Sequence, residues 1–176
     1  LKDKTLVDVK VDATKVIGSF AELETIYVTN KANFANLGNE NIEITAGATA
    51  EQINTIANLT TGKVTASLAD TAANLVTALK NSASSDELIL KVTGTAKASD
   101  LITLDGKTSE DIKVNADVVS GTYADLNKVY VTNAANFAAL GNEAITITDT
   151  TVTVAQANAI GALTSGVVTA TVAAGN

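Results

Sequence analysis

The stretch Tyr27-Val-Thr-Asn-Lys-Ala-Asn-Phe-Ala-Asn-Leu-Gly-Asn-Glu40 returns later in the chain as Tyr130-Val-Thr-Asn-Ala-Ala-Asn-Phe-Ala-Ala-Leu-Gly-Asn-Glu143. It belongs to a longer duplication in which residues 11–45 match residues 114–148, with identity at 21 of 35 positions. Internal duplication is typical of arrays whose units stack on one another. We therefore expect a single domain over residues 1–176, with a higher-order repeat at 11–113 and an incomplete second copy at 114–176.

A shorter period lies inside this repeat. Strand-like segments with alternating apolar and polar residues recur along the chain and are separated by helix-like segments with apolar residues three or four apart. When one central residue of each strand is taken as equivalent, the steps in residue number are 33, 22, 24, 24, 33 and 23. The basic unit is therefore about 22–24 residues long, and two units are longer, at about 33 residues. The central residues are Val11, Ile44, Ala66, Leu90, Val114, Ile147 and Ala170.

Helix starts carry capping signals, as in Ser19-Phe-Ala-Glu22 and Thr122-Tyr-Ala-Asp125. Strand then helix at this short period requires parallel strands, because each helix must return the chain to the start of the next strand. Repeated right-handed crossovers give an α/β fold, a right-handed β-α solenoid. Since all the connections are alike, we expect the helices on one face of the parallel sheet and a polar surface on the other.

The composition excludes several classes of function. The chain has no Cys, Met, His, Trp or Pro, and its formal net charge is −7. Without a basic cluster, nucleic acid is not an expected partner. The sequence has no apolar run long enough to span a bilayer, so membrane insertion is not expected. Without His or Cys, a general base would have to be a carboxylate or lysine of shifted pKa, so we expect no enzyme activity.

Three segments carry a resemblance to known proteins: Ala98-Ser-Asp-Leu-Ile-Thr-Leu-Asp105, Thr122-Tyr-Ala-Asp-Leu126 and the run from Val154 to Val172. They resemble repeats of very large bacterial extracellular proteins, the cyanobacterial surface and haemolysin-type proteins among them. The resemblance implies a secreted, non-enzymatic structural or adhesive role at the cell surface. The Gly-Gly-x-Gly-x-Asp nonapeptides that often bind calcium in such proteins are absent from this sequence.

Acidic residues gather where helices lead into strands, and equivalent positions of an array align along one edge. Oxygen ligands aligned in this way can bind calcium, so Asp86, Glu87, Glu110 and Asp111 are candidate calcium ligands, with calcium the only cofactor considered. The alternative is a solvated acidic edge. Gly106-Lys107-Thr108 resembles the end of a phosphate-binding loop, but the glycine required five positions before Gly106 is Leu101.

The long insert in each of the two longer units is the best candidate for contact with a partner. Its polar residues would form two matching protrusions on the array. The alternative is that Phe34, Leu37 and their counterparts only fill the space beneath a widened turn. A second short helix that ends at Gly38 or Gly141 is considered within each insert. The candidate partner-contact residues are Asn33, Asn39, Glu40, Asn136, Asn142 and Glu143.

Neither end of the sequence has an obvious capping unit, so each end of the array would expose a sheet edge. We therefore expect a structural segment of a secreted bacterial surface protein, such as a filament, surface-layer piece or adhesin spacer. Its partners would be itself, stacked head to tail, or adjacent repeats of the same polypeptide. The alternative is an adhesive module that binds glycan or protein through the inserts or the polar sheet face.

Overall fold

The computed structural model describes residues 8–45 and 47–174, so residues 1–7, 46 and 175–176 of the expected domain lie outside it. These residues form a mixed α/β fold. The strands are β1 (Val9–Lys10), β2 (Lys15–Gly18), β3 (Phe34–Ala35), β4 (Asn41–Ile44), β5 (Val64–Asp70), β6 (Glu87–Lys97), β7 (Ile112–Gly121), β8 (Phe137–Ala138), β9 (Ala144–Ile147) and β10 (Val168–Thr169). The helices are α1 (Phe20–Glu24), α2 (Ala50–Ala57), α3 (Ala72–Ala78), α4 (Ala98–Asp105), α5 (Tyr123–Asn127) and α6 (Val154–Gly161).

The strands build one open, parallel sheet in the order β10-β9-β7-β6-β5-β4-β2. Strand β8 adds a second pairing to β7, and β1 pairs with β3 in a separate two-stranded sheet. Every strand pairing in the described residues is parallel. Parallel strands, inferred from the strand–helix alternation, are confirmed. The order follows the sequence, and the sheet ends at β2 and β10 instead of closing into a barrel.

Helix starts are set by side-chain caps. Ser19 and Glu22 form the expected capping box at α1. At α5, Thr122 caps the amide of Asp125, but the carboxylate of Asp125 accepts from the Thr122 hydroxyl instead of the Thr122 amide. Two further capping boxes, which were not predicted, lie at α2 and α6 and are formed by Thr49 with Gln52 and by Thr153 with Gln156.

The strand equivalences taken from the sequence are partly wrong. Ile44 lies opposite Gly18 and not Val11, because β2 was not recognised as a strand. Likewise Ala66 lies opposite Leu88 and not Leu90. Val16 pairs with Ile42, and Ile42 in turn pairs with Val64, so these two steps are similar in length. The first step of 33 residues is therefore longer than the unit itself, because it was counted from Val11, which lies before β2, the strand that pairs with β4.

Strand β7 changes partners along its length, and a β-bulge in its pairing with β6 precedes the change. Ile112 and Lys113 pair with β8, whereas residues 118–121 pair with β9. On the other side, the register with β6 shifts after Gly94, which has a φ of +69°. In the first copy, the segment equivalent to β7 consists of two separate strands: β1, which pairs with β3, and β2, which pairs with β4.

The core lies between one face of the sheet and the helices. On β6, Leu88, Leu90 and Val92 are buried, whereas Ile89 and Lys91 between them are exposed. Successive helices contact one another from α1 to α6, so they form a row. This alternation along the strand is what a helix layer on one face predicts, and it leaves the other face in solvent. That face is not wholly polar, because Ile17 and Ile89 are exposed on it beside residues such as Lys91.

Candidate functional site

The two inserts have the same backbone. Each continues its first helix through a π-helical turn (Thr25–Thr29 or Lys128–Thr132) and then a 3-10 turn (Lys31–Asn33 or Ala134–Asn136). The short helix ending at Gly38 or Gly141, considered from the sequence, is therefore replaced by a 3-10 turn that ends at the preceding phenylalanine. Both glycines have positive φ, which favours glycine over other residues.

A buried tyrosine–glutamate pair fixes each insert. The Tyr27 hydroxyl donates to Glu40 Oε2 at 2.9 Å, and the Gly38 amide donates to the same oxygen at 2.9 Å. Tyr130 donates to Glu143 in the same way, and the amides of Gly141 and Asn142 complete the pattern. Glu40 is 1% exposed and Glu143 is 2% exposed. The prediction that these two residues contact a partner is wrong, because their carboxylates point inward and are held by the insert itself.

The protonation of this pair follows from its surroundings. Burial raises the pKa of Glu40, but the hydrogen bonds from the Gly38 amide, neighbouring backbone amides and the Tyr27 hydroxyl outweigh it, so the pKa lies below its ordinary value. Burial, together with the adjacent carboxylate, raises the pKa of Tyr27 and of Tyr130. The Tyr27–Glu40 pair is therefore a charged acceptor with a neutral donor.

The next turn of the chain closes over each glutamate. Thr60 donates its hydroxyl to the Glu40 carbonyl at 2.6 Å, and Thr164 does the same to Glu143. Two residues after each threonine lies a glycine, Gly62 or Gly166, where there is no space for a side chain. A Cβ on Gly62 would lie 2.3 Å from the Glu40 carbonyl oxygen, and one on Gly166 would lie 2.2 Å from that of Glu143. The insert and the following unit are thus locked together.

The asparagines of the inserts have different environments. Asn133 and Asn136 donate from Nδ2 to the two carboxylate oxygens of Asp105 at 2.8 and 2.9 Å, which fastens the second insert to the end of α4. Within residues 8–45 and 47–174, the side chains of Asn30 and Asn33 have no hydrogen-bond partner. Asn39 and Asn142 lie on the loop before β4 or β9, and both are exposed.

A polar cleft opens beside each insert, at the point where the strand changes partners. The first lies between residues 11–14 and the loop containing Asn39, with a volume of about 750 Å³. The second, of about 440 Å³, is the equivalent place between residues 113–117 and the loop containing Asn142. The two clefts are four strand positions apart, which corresponds to about 19 Å at the usual strand spacing. They are lined by Asn39 and Asn142, two of the candidate contact residues.

The candidate calcium ligands do not converge. Asp86 is buried, and its two carboxylate oxygens accept from the amides of Val64 and Ala83, both at 2.9 Å. Glu87 accepts hydrogen bonds from Lys63 and Thr65 on the outer sheet face. These bonds, and the one from Lys63 most of all, lower the pKa of Glu87. Glu110 and Asp111 are exposed. In the part of the chain that the structure describes, no three acidic residues are grouped to hold a metal ion.

The segment that resembles a phosphate-binding loop has a structural use. Lys107 donates to the carbonyls of Lys80 and Ser82. The buried hydroxyl of Thr108 accepts from the Leu88 amide at 2.9 Å and donates to the Leu88 carbonyl at 2.8 Å. These groups join neighbouring turns of the array, so they do not form an open anion-binding loop.

Comparison with known proteins adds no relative: no family model, no curated protein and no solved structure matches this chain. Among the described residues, none of the helices combines the length and the apolar character needed to cross a membrane.

Proposed function

We propose that this chain is a non-enzymatic structural segment of a secreted bacterial cell-surface protein, built as a right-handed β-α solenoid. Its role is that of a spacer, filament segment or surface-layer piece whose ends meet neighbouring units. One observation carries the proposal: in the described residues the sheet is built in sequence order and has two outer strands, β2 and β10, each with one neighbour in that sheet. Open strand edges of this kind pair with further strands.

The use of the buried polar groups supports a structural role. Glu40, Glu143 and Asp86 are the buried carboxylates of the described residues, and each is held by backbone amides of its own or the preceding turn. Glu143 also borders the second cleft, but its carboxylate oxygens accept from the Tyr130 hydroxyl and the amides of Gly141 and Asn142. Glu40 and Glu143 use their charge to hold their own inserts, and Asp86 joins two neighbouring units through the amide of Val64.

Electron microscopy of the purified chain tests this proposal, combined with localisation of the parent protein by surface proteolysis of intact cells. We expect rods, sheets or end-to-end particles, and parent protein that external protease removes. A parent protein that stays protected inside the cell would contradict the proposed location, and globular particles without end contacts would contradict stacking.

A second function is favoured by the paired clefts. Two equivalent polar clefts about 19 Å apart can hold one extended ligand at two points, so an adhesive module for glycan or protein is the alternative. Glycan-array binding by the chain, lost in Asn39→Ala plus Asn142→Ala and kept in Asn58→Ala, would favour it. Asn58 is a control that lies outside the clefts. Equal binding by all three proteins would exclude the clefts as the binding site.

A further inference from the structure

Two lysines lie side by side on the outer face of the sheet without a counter-ion. Lys91 of β6 and Lys113 of β7 are direct partners in the parallel register, so their backbones are one strand spacing apart, about 4.8 Å. Both are exposed, and their neighbours in the same cross-strand row are Ala69 and Ala138. Among the described residues neither ammonium has a hydrogen bond or an ion pair, although the exposed Asp111 lies two positions before Lys113. Like charges placed opposite each other destabilise a sheet.

Elsewhere on this face, lysines of neighbouring strands are neutralised. Lys15 binds Glu43 at 2.5 Å, and Lys63 binds Glu87 at 3.2 Å. The chain as a whole has 19 acidic and 12 basic residues, so carboxylates are in excess. The unpaired lysines of β6 and β7 therefore form a local positive site on an acidic protein, and a site of this kind attracts an anion.

Comparison of the two copies shows what frees the second lysine. In the first copy Lys10 forms an ion pair with Asp12 at 3.0 Å, and the equivalent residues of the second copy are Lys113 and Asn115. Asp12 lines the first cleft, whereas Lys113 and Asn115 line the second. The second copy thus keeps the lysine and replaces its carboxylate with a neutral amide, so the second cleft has a free cation on its border.

The second cleft adds neutral hydrogen-bonding groups beside this cation. Asn115 and Asn142 line it, both are exposed, and their side chains have no hydrogen-bond partner in the part of the chain that the structure describes. A side-chain amide both donates and accepts, which suits a hydroxyl of a sugar. Two carboxylates also border the cleft: Asp117 is exposed, and Glu143 is held by its own insert. An anionic group is therefore directed to the side of the cleft where Lys113 lies.

We propose that Lys91 and Lys113, with Asn115 and Asn142, bind an acidic polysaccharide through the carboxylate of a uronic acid unit. One carboxylate accepts from both ammoniums at this spacing, and hydroxyls of the adjoining sugars bond to the two asparagines. A densely charged polymer such as nucleic acid fits less well, because its other phosphates meet a chain of net charge −7. The inference deepens the adhesive alternative given above and rests on it for glycan as the class of ligand.

The test is a calorimetric titration of the full chain with a short oligosaccharide of galacturonic acid at low salt. We expect binding that weakens as salt is added, because the screening length falls. Lys91→Gln plus Lys113→Gln should lower the affinity at least about tenfold, since both charge-assisted hydrogen bonds are lost. The matched control, Lys15→Gln plus Lys63→Gln, removes the same charge from the same sheet face. It should change the affinity less than about twofold, because these lysines already have protein partners.

A third variant keeps both lysines. Asn115→Asp restores the residue of the first copy and supplies Lys113 with a counter-ion, as Asp12 does for Lys10. It should also weaken binding at least about tenfold, because the carboxylate competes with the ligand and repels it. Thermal melts check that the variants fold. Lys91→Gln plus Lys113→Gln should melt no lower than the wild type, since the change removes two exposed like charges that lie side by side.

Several results would overturn the inference. No binding of the galacturonate oligosaccharide at low salt would do so, as would an equal loss of affinity in the two double-lysine variants. Tighter binding of a sulfated oligosaccharide would exclude the uronic acid, and tighter binding of single-stranded DNA would exclude glycan as the ligand. A neutral oligosaccharide bound equally well by the wild type and by Lys91→Gln plus Lys113→Gln would overturn this inference and leave the adhesive function standing. A glycan array with no bound sugar of any kind would instead remove the adhesive function itself.

Discussion

The two copies of the insert have the same internal structure in different surroundings. Tyr27 and Tyr130 hold their glutamates alike, and the chain between them bends through the same turns. Val119 and Val129 of the second copy are fully buried, whereas Val16 and Ile26 of the first are half-buried. Local sequence thus determines the form of a unit, and the neighbouring units determine how much of it is buried.

The largest effect on stability is expected at Gly62 and Gly166, the glycines that follow the threonines bonded to the Glu40 and Glu143 carbonyls. Gly62→Ala should lower the free energy of unfolding by about 3 kcal/mol, because the new Cβ meets a backbone carbonyl that cannot move aside. Gly166→Ala should cost roughly 1 kcal/mol less, since the end unit can shift outward. Urea denaturation measures both.

Gly161→Ala is the matched control, because a Cβ there meets no neighbouring atom. It lies in α6, where alanine should stabilise the helix by about 1 kcal/mol. Equal losses at Gly161 and Gly166 would mean that the close approach to the carbonyl is not the cause.

The tyrosine–glutamate pairs come next. Tyr27→Phe and Tyr130→Phe should each cost about 2 kcal/mol, because the hydroxyl is a hydrogen-bond donor to a buried carboxylate. Tyr123→Phe is the control, since that ring has no hydrogen bond from its hydroxyl within the described residues. If the three variants had the same melting temperature, the hydrogen bonds of the buried pairs would contribute nothing to stability beyond the packing of the rings.

The same pair predicts a pH dependence. Because the pKa of Glu40 is lowered by folding, its contribution to stability is present above the ordinary value of 4.5 and is lost as the pH falls through the folded-state pKa. Thermal melts from neutral pH down to the acid range should show this loss. Glu40→Gln should be less stable at neutral pH and should show a shallower slope on the acid side. An unchanged slope would place the titration elsewhere.

A smaller effect separates the two copies at their asparagines. Asn136→Ala should cost about 1 kcal/mol, because it removes one of the two hydrogen bonds to Asp105. Asn33→Ala should change stability by less than about 0.5 kcal/mol, since its side chain has no partner in the described structure. Equal costs would show that the second copy gains nothing from its contact with α4.

The smallest effect is expected from calcium. Asp86 and Glu87 already have protein partners, so adding calcium in place of chelator should shift the melting temperature by less than about 1 °C. Differential scanning fluorimetry measures this. A larger rise that disappears in Glu110→Gln plus Asp111→Asn would restore the acidic edge as a calcium site.

The sequence predicted the helices and the parallel sheet for identifiable reasons. Paired apolar positions such as Leu101 and Leu104 are buried together on α4, and Ser19 caps α1 as its spacing indicated. Strand β2 was missed because Val16 and Ile17 are adjacent and break the alternation by which strands were recognised. The interruption between β1 and β2 is a tertiary effect, set by pairing with two different strands.

The candidate site was less predictable. Glu40 and Glu143 looked like surface carboxylates because each lies in a polar, asparagine-rich stretch. A signal was nevertheless present in the sequence, since each glutamate follows a tyrosine of the same repeat at the same spacing in both copies. Asp105 as the partner of Asn133 and Asn136 could not be found in this way, because it belongs to the preceding unit and the first copy offers no parallel.

The central strands bear on how the molecule opens and closes. Strands β6 and β7 share the longest run of pairings, whereas β2 and β10 each have a single neighbour in the main sheet of the described residues. Amide hydrogens should therefore exchange with solvent slowest in β6 and β7 and progressively faster toward β2 and β10, because the outer strands open most easily. Each strand of the main sheet pairs with the strand of the next unit along the chain, so folding can start at that middle pair and spread outward without long-range search.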